Sequence, residues 1–225
     1  MDAAFAAHRP QKRFHRLKDV ATVLRSSLRD LWDDLLMVAV CNLIWLVSLI
    51  LVIPGPPATL ALFYYGSRLA HGEQTDLGDF FRAMRRYWGT AWRWGLVNLA
   101  LALVLAGDIL LLQPVHPSLL LRFGQGFYLT LLLAWLFVQL FALPFLFEQE
   151  KPGLRLAWRN AAFMLGRNIG FSIALGLSLG VILFVGAVFF LVSVAAGGVY
   201  IAIAANRAVL NRLEAQLSLE RRGLP

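Results

Sequence analysis

Ionised side chains are missing from three long stretches of the chain: Leu35 to Ser67, Phe123 to Phe147 and Asn168 to Asn206. Apolar runs above about 18 residues read as bilayer spans. The segments between them carry helical patterns of another kind. From Phe14 onward, Leu17, Ala21, Leu24, Leu28, Leu31 and Leu35 recur at steps of three and four, which puts them on one helix face. Lys18, Arg25, Arg29 and Asp30 fall on the other faces, so the stripe predicts an amphipathic helix lying in the inner headgroup layer. A coiled-coil seam is the rival reading, but the stripe is too short to favour it. Residues 1–13 are basic and patternless, as expected of a loose tail.

The first span is expected from Leu35 to Ile53, ended by Pro54, Gly55, Pro56 and Pro57. Pro57 suits the first turn of a new helix, where a missing N–H costs nothing. That helix, Ala58 to Ala70, would rise only about 20 Å against a hydrocarbon core of about 30 Å. Either the break dips into the membrane or the helix runs further toward the cytoplasm; an ordinary turn at the outer surface is the favoured reading of the break. A polar stretch follows, with Asp76 or Thr75 as N-cap of a short basic, aromatic-rich helix from Asp79. The third span is expected over Ala91–Leu112, a turn over Gln113–Ser118, and the fourth span over Phe123–Phe147 with Pro144 near its inner end. A second basic amphipathic helix starts near Lys151. One straight helix through the last apolar run would be about 58 Å long, so a hairpin is required there, with its turn placed around Ala187 to Val192. The fold class is therefore all-α: a polytopic bundle of six transmembrane helices with cytoplasmic amphipathic helices. It divides into a basic tail and interfacial helix (1–34), the six-helix domain (35–210) and a cytoplasmic tail (211–225). The order of basic helix, glycine and hairpin occurs twice, at Phe80–Phe147 and Leu154–Ala205, as a thin internal repeat.

Composition supports this class: 59% of the 225 residues are hydrophobic and 15% charged, against roughly half and a quarter in soluble domains. The net charge of +8 would suggest nucleic acid in a soluble protein. Here the cations crowd the ends of apolar runs, which points to lipid headgroups and away from nucleic acid. Lys and Arg cluster before Asp30, between Arg68 and Arg93, between Lys151 and Arg167, and after Arg207, leaving Arg122 beside the third-to-fourth turn. Basic segments at every second connection put both termini in the cytoplasm. Trp32, Trp88, Trp92, Trp94 and Trp158 fall near the same interface as an aromatic belt. The leader is too long for a cleaved signal, and the first apolar run reads as a retained anchor. Cys41 alone makes neither an internal disulfide nor a metal cluster.

Candidate chemistry is sparse. Asn42, Asn98, Gln139 and Ser172 lie inside spans, where polar side chains tie helices together or line a solute path; the first reading is favoured. Asp108 is the one acid in an apolar stretch, either a functional intramembrane group or an outer headgroup-layer residue. A break at Pro54, Gly55, Pro56 and Pro57 within the membrane would expose backbone groups and a helix N-terminus to polar solutes. Small-residue pairs (Gly176 and Gly180, Ala102 and Ala106, Gly198 and Ala202) allow close helix approach within the chain or in a homodimer. Tyr64, Tyr65, Tyr128 and Tyr200 suit stacking on sugars or a plain interface. Glu148 and Glu150 read as a solvated interfacial pair. His8, His15, His71 and His116 have no metal-ligand spacing, and neither a nucleophile elbow nor a P-loop is present. No catalytic, cofactor-binding or metal residue is therefore assigned.

Three segments carry a family resemblance. They are Asn42-Leu-Ile-Trp-Leu, Pro54-Gly-Pro-Pro-Ala-Thr-Leu-Ala-Leu-Phe-Tyr-Tyr and Asp79-Phe-Phe-Arg-Ala-Met-Arg-Arg-Tyr-Trp. Together they resemble the YesL-like family of small bacterial integral membrane proteins, over residues 35 to 95. The chain departs from the pattern at Tyr87, where the family often has Asn before an aromatic residue. The resemblance implies a multi-pass protein of the bacterial cytoplasmic membrane, without catalytic residues to carry over, and a link to carbohydrate uptake. The function expected is that of a non-enzymatic accessory component, a partner of a transport system; the alternative is a transporter or channel for a small uncharged solute such as a sugar.

Overall fold

The computed structural model describes residues 9–111, 119–188 and 196–221, and the regular structure among them is helical throughout. The helices are α1 (Arg9–Asp33), α2 (Leu35–Ile50), α3 (Gly55–Ala70), α4 (Leu77–Arg86), α5 (Trp88–Leu111), α6 (Leu119–Phe147), α7 (Leu154–Arg167), α8 (Ile169–Val188) and α9 (Gly198–Arg221). One helix, Phe123–Phe147 within α6, is long and apolar enough to cross a membrane by itself, with a mean hydropathy of 2.2. The number rises to 3 if α1–α2 and α7–α8, bent by 96° and 102°, are each taken as a single span. The six expected spans are not reached on these criteria. Length is one reason: α2 and α3 have 16 residues each, about 24 Å of helix.

The bends have a sequence cause. At Asp34, Tyr87 and Asn168 a helix with a charged face gives way, after one non-helical residue, to an apolar helix. The first kind is most stable along a polar–apolar boundary and the second across an apolar layer, so the near right angles of 96° and 102° at Asp34 and Asn168 suit both. The start of α4 is fixed by a capping box: the Asp76 carboxylate accepts from the Asp79 N–H at 2.6 Å while Asp79 accepts from the Asp76 N–H. The cap expected at Asp76 is the one observed, and the helix begins at Leu77.

The centre of the fold is the crossing of α3 and α9. The two helices pack closely, and Leu60, Ala61, Leu62 and Tyr65 of α3 and Val199, Ala202, Ile203 and Ala204 of α9 are all buried. Gly66 permits the approach, since a Cβ there would lie 3.0 Å from the Ala202 backbone. Asn206 reinforces it by donating to the Phe63 carbonyl at 3.2 Å. Outward faces are apolar instead: Leu99, Leu103 and Val104 on α5, Leu129, Leu133 and Leu136 on α6, Leu177, Val181 and Phe184 on α8 are all exposed. So broad an unpartnered apolar surface fits a lipid solvent.

Two expectations change. The buried face of α1 is Val20, Val23, Ser27 and Leu31, whereas Ala21, Leu28 and Leu35 of the expected stripe are exposed. The shift follows from what α1 packs on. Its acidic edge faces α9: Asp30 takes both a 2.7 Å bond from Arg207 Nε and a 2.7 Å bond from Arg207 Nη2. Asp19 pairs with Arg212, whose guanidinium lies 3.9 Å over the Phe171 ring of α8. The exposed Leu28 and Trp32 then form a second, outward apolar stripe beside Arg25 and Arg29. Also, α9 runs on as helix through the stretch expected as a tail, to Arg221. Most of the turn expected at Ala187–Val192 lies outside the described residues.

Candidate functional site

Of the expected polar positions, Asn42, Asn98, Gln139 and the Pro54–Pro57 break form two hydrogen-bonded knots and one chain reversal, while Ser172 is buried with its Oγ unpaired. In the first knot Asn42 of α2 is fully buried, and its Oδ1 accepts from the backbone N–H groups of Gly198 at 2.8 Å and Val199 at 3.1 Å. Two backbone donors of the first turn of α9, just after the π-helical residues Ala196 and Gly197, thus find their acceptor on a distant helix, α2. Gly198 is required there, because a Cβ would lie 2.5 Å from Trp45 Cζ3 and 2.7 Å from Asn42 Oδ1. Trp45, one turn after Asn42, donates its indole N–H to Thr59 Oγ1 at 3.0 Å, and Thr59 donates to the Gly55 carbonyl at 2.9 Å. The Asn-Leu-Ile-Trp and Gly-Pro-Pro-Ala-Thr segments are therefore two halves of one lock between α2, α3 and α9.

The second knot joins α5, α6 and α7. Gln139 Oε1 accepts from Trp94 Nε1 at 2.8 Å, from Trp158 Nε1 at 3.3 Å and from Asn98 Nδ2 at 3.5 Å. Asn98 Oδ1 in turn accepts from Trp135 Nε1 at 2.9 Å, and the Trp135 and Trp158 rings sit 5.9 Å apart. Asn98 and Gln139, both expected as intramembrane polar positions, are thus brought together; Asn42 is not near them in this network. Of the three indoles, Trp94 and Trp158 are expected only in an aromatic belt, and Trp135 is not singled out. The overlooked signal is that an indole N–H removed from water needs an acceptor. Gln139 Nε2 is buried and has no hydrogen-bond partner.

The reversal at Pro54–Pro57 satisfies its own backbone donors. The N–H groups of Leu51, Val52, Ile53, Gly55 and Ala58 each bond to a carbonyl between Val47 and Pro54. Pro54, Pro56 and Pro57 have no N–H to satisfy. Ile50, Leu51, Val52 and Ile53 at the tip are all exposed. All the N–H donors of the turn are thus bonded within it, which lowers the cost of placing this backbone in hydrocarbon. It carries strain as well: Val52 has φ 63, a left-handed conformation that costs a β-branched residue about 1–3 kcal/mol.

At the other end of α3 and α6 lies a charged rim. Arg68 contacts Glu73 at 2.9 Å and Asp79 at 3.6 Å, while Arg82 binds Asp79 at 2.6 Å. The Arg82 guanidinium holds the Asp79 carboxyl below its usual range. His71 faces Glu148 at 3.5 Å, and burial raises the Glu148 pKa despite that neighbour. Tyr64, Tyr87 and Phe147 pack as a trio with centroids 5.4–6.0 Å apart. Four clefts of about 350, 400, 420 and 570 Å³ open around this rim and along α1. Asn42, Asn98 and Gln139 line none of these four.

The remaining expected positions are placed as follows. Asp108 lies in α5, with its side chain outside the described residues. Gly176 packs against Phe137 of α6, which a Cβ would meet at 2.2 Å, so this small residue serves packing within the chain. Gly180 has open space around it. Among the described residues no group of His, Cys, Asp or Glu is arranged to hold a metal.

No curated protein and no solved structure matches this chain. Residues 38–109, about a third of the chain and comprising most of α2 through nearly all of α5, match the family described as "Protein of unknown function, DUF624".

Proposed function

We propose that this chain is a multi-pass protein of the bacterial cytoplasmic membrane that acts without enzymatic activity as an accessory component linked to carbohydrate uptake. In this reading α2, α3, α5, α6, α8 and α9 are six membrane-embedded helices, and both termini are cytoplasmic. The YesL-like resemblance supplies the carbohydrate link, and the match to a family of unknown function is compatible with it. The observation that carries the accessory role is the fate of the intramembrane polar groups. Asn42, Asn98 and Gln139 are spent on helix–helix hydrogen bonds, while the open clefts gather at the charged rim. A hydrophilic path needs the opposite arrangement. Besides the bilayer, the partner would be a transport system meeting this rim; a homodimer is the other arrangement that open small residues such as Gly180 allow.

The topology is tested by single cysteines in a Cys41→Ala background. A membrane-impermeant maleimide added to intact cells should label Val115→Cys and spare Ser218→Cys. It should also spare Ile53→Cys, because the α2–α3 tip then lies in hydrocarbon. External labelling of Ser218→Cys would reverse the orientation, and external labelling of Ile53→Cys would place the tip in water.

A second reading, a path for an uncharged solute, rests on the unpaired Gln139 Nε2 beside three indoles, an amide–aromatic combination that suits a hydroxylated ring. The two readings part on flux. Proteoliposomes carrying the purified chain should release entrapped radiolabelled mono- and disaccharides no faster than empty liposomes; release above that background would replace the accessory role with transport.

A further inference from the structure

We propose that the cleft between α4 and Tyr64 of α3 is a binding site for the phosphodiester headgroup of an anionic phospholipid. The cleft, of about 350 Å³, is lined by Tyr64, Asp79, Arg82, Ala83, Arg85, Arg86 and Tyr87. Three guanidinium groups thus meet one carboxylate, and that carboxylate is already occupied. Asp79 holds Arg82 at 2.6 Å, lies 3.6 Å from Arg68 and closes the capping box of α4. Arg86 stacks over the Tyr87 ring at 5.6 Å, which leaves the guanidinium edges free to donate. Arg85 is exposed and has no partner among the described residues. The surplus is therefore two forked donors beside two tyrosines, the donor set that phosphate oxygens take bidentately.

The surroundings select a lipid over a soluble phosphate. Phe81 and Arg85 lie one turn apart on α4 and so share one outward face, and Trp88 opens α5 just beyond the end of α4; Phe81 and Trp88 are 51% and 42% exposed. Exposed apolar rings close to an unpaired arginine in the chain suit acyl chains next to a headgroup. The Tyr64, Tyr87 and Phe147 trio gives the cleft a rigid apolar floor that anchors α4 to α3 and α6. Bulk attraction of a basic helix to a negative surface would need none of this shape.

The inference rests on the membrane reading above, and the experiment separates the two. The purified protein in neutral detergent is titrated with phosphatidylglycerol or phosphatidylcholine, and bound lipid is counted by native mass spectrometry. For wild type, phosphatidylglycerol should be retained at least about tenfold more tightly than phosphatidylcholine. In Arg85→Gln/Arg86→Gln that preference should fall to about twofold or less. Arg155→Gln/Arg159→Gln on α7, which removes the same charge elsewhere, should keep it. Equal loss in both variants would reduce the site to general electrostatics and overturn the proposal. So would glycerol phosphate displacing the lipid at equal concentration, which would identify a soluble phosphate site. If the double variant melts well below wild type, Arg85→Gln alone, an exposed and unpaired position, carries the same test. Failure to associate with bilayers at all would instead overturn the membrane reading.

Discussion

Asn42→Leu is expected to lower the stability of the protein in detergent by about 1–3 kcal/mol. Two opposed effects decide the sign. Leucine removes a polar side chain from an apolar setting, which favours the variant. It also leaves the Gly198 and Val199 N–H groups, which Asn42 now satisfies at 2.8 and 3.1 Å, without an acceptor in a fully buried place. An unpaired buried donor costs about 1–3 kcal/mol, and here there are two. The lost donors outweigh the gain because leucine's extra volume also presses on Trp45, which already limits Gly198. Gly198→Ala should be destabilising by a similar amount, since its Cβ would collide with Trp45 and Asn42. In combination the two should be clearly less than additive, because each alone opens the same contact. The measurement is a double-mutant cycle on thermal unfolding midpoints. Wild-type midpoints in both single variants, or strict additivity, would mean that α2 and α9 are not locked at this point.

The lock also marks the boundary of what could be read from the chain. Charge-free runs and the basic segments between them announced a helical membrane class, and the right angles at Asp34 and Asn168 lie where amphipathic pattern gives way to apolar run. These features depend on local period and composition, which a sequence displays directly. The cap at Asp76 was equally visible, since a capping box spans only four residues. The number of crossings was not: apolar runs fix how much chain avoids water, not where each helix breaks, and α2 and α3 come out shorter than a bilayer core. The face that α1 buries was misplaced for a related reason. A stripe of leucines predicts an apolar face but not whether protein or lipid covers it, and the partner choice was settled by Asp19 and Asp30 meeting Arg212 and Arg207 nearly two hundred positions away. The polar knots were half legible. Asn42, Asn98 and Gln139 stood out as polar residues in apolar runs; the need of three half-buried indoles for an acceptor was overlooked, and the two backbone N–H groups carry no mark in a sequence.

Gln139→Leu is the second substitution with a large expected effect, and it also bears on which functional reading survives. Its Oε1 is the shared acceptor for Trp94, Trp158 and Asn98, so leucine strands two indole N–H groups and weakens a third contact across α5, α6 and α7. Against this, the substitution removes the unpaired Nε2 donor, an unfavourable group in the wild type. With the 2.8 Å and 3.3 Å indole bonds counted against one relieved donor, the net loss should be about 1–2 kcal/mol. Indole fluorescence gives a local readout that global unfolding does not: the emission of Trp94 and Trp158 should shift in the folded variant as their N–H groups lose the amide. If the knot only ties helices, adding sugar to the wild type should leave that emission unchanged while Gln139→Leu alters it. A saturable sugar-dependent change that disappears in Gln139→Leu would mean that Nε2 donates to a bound hydroxyl, and the knot would then be a binding site in its own right. The difference between the readings thus comes down to one amide donor: a packing imperfection tolerated for the three bonds its neighbour oxygen makes, or a group held free for a solute.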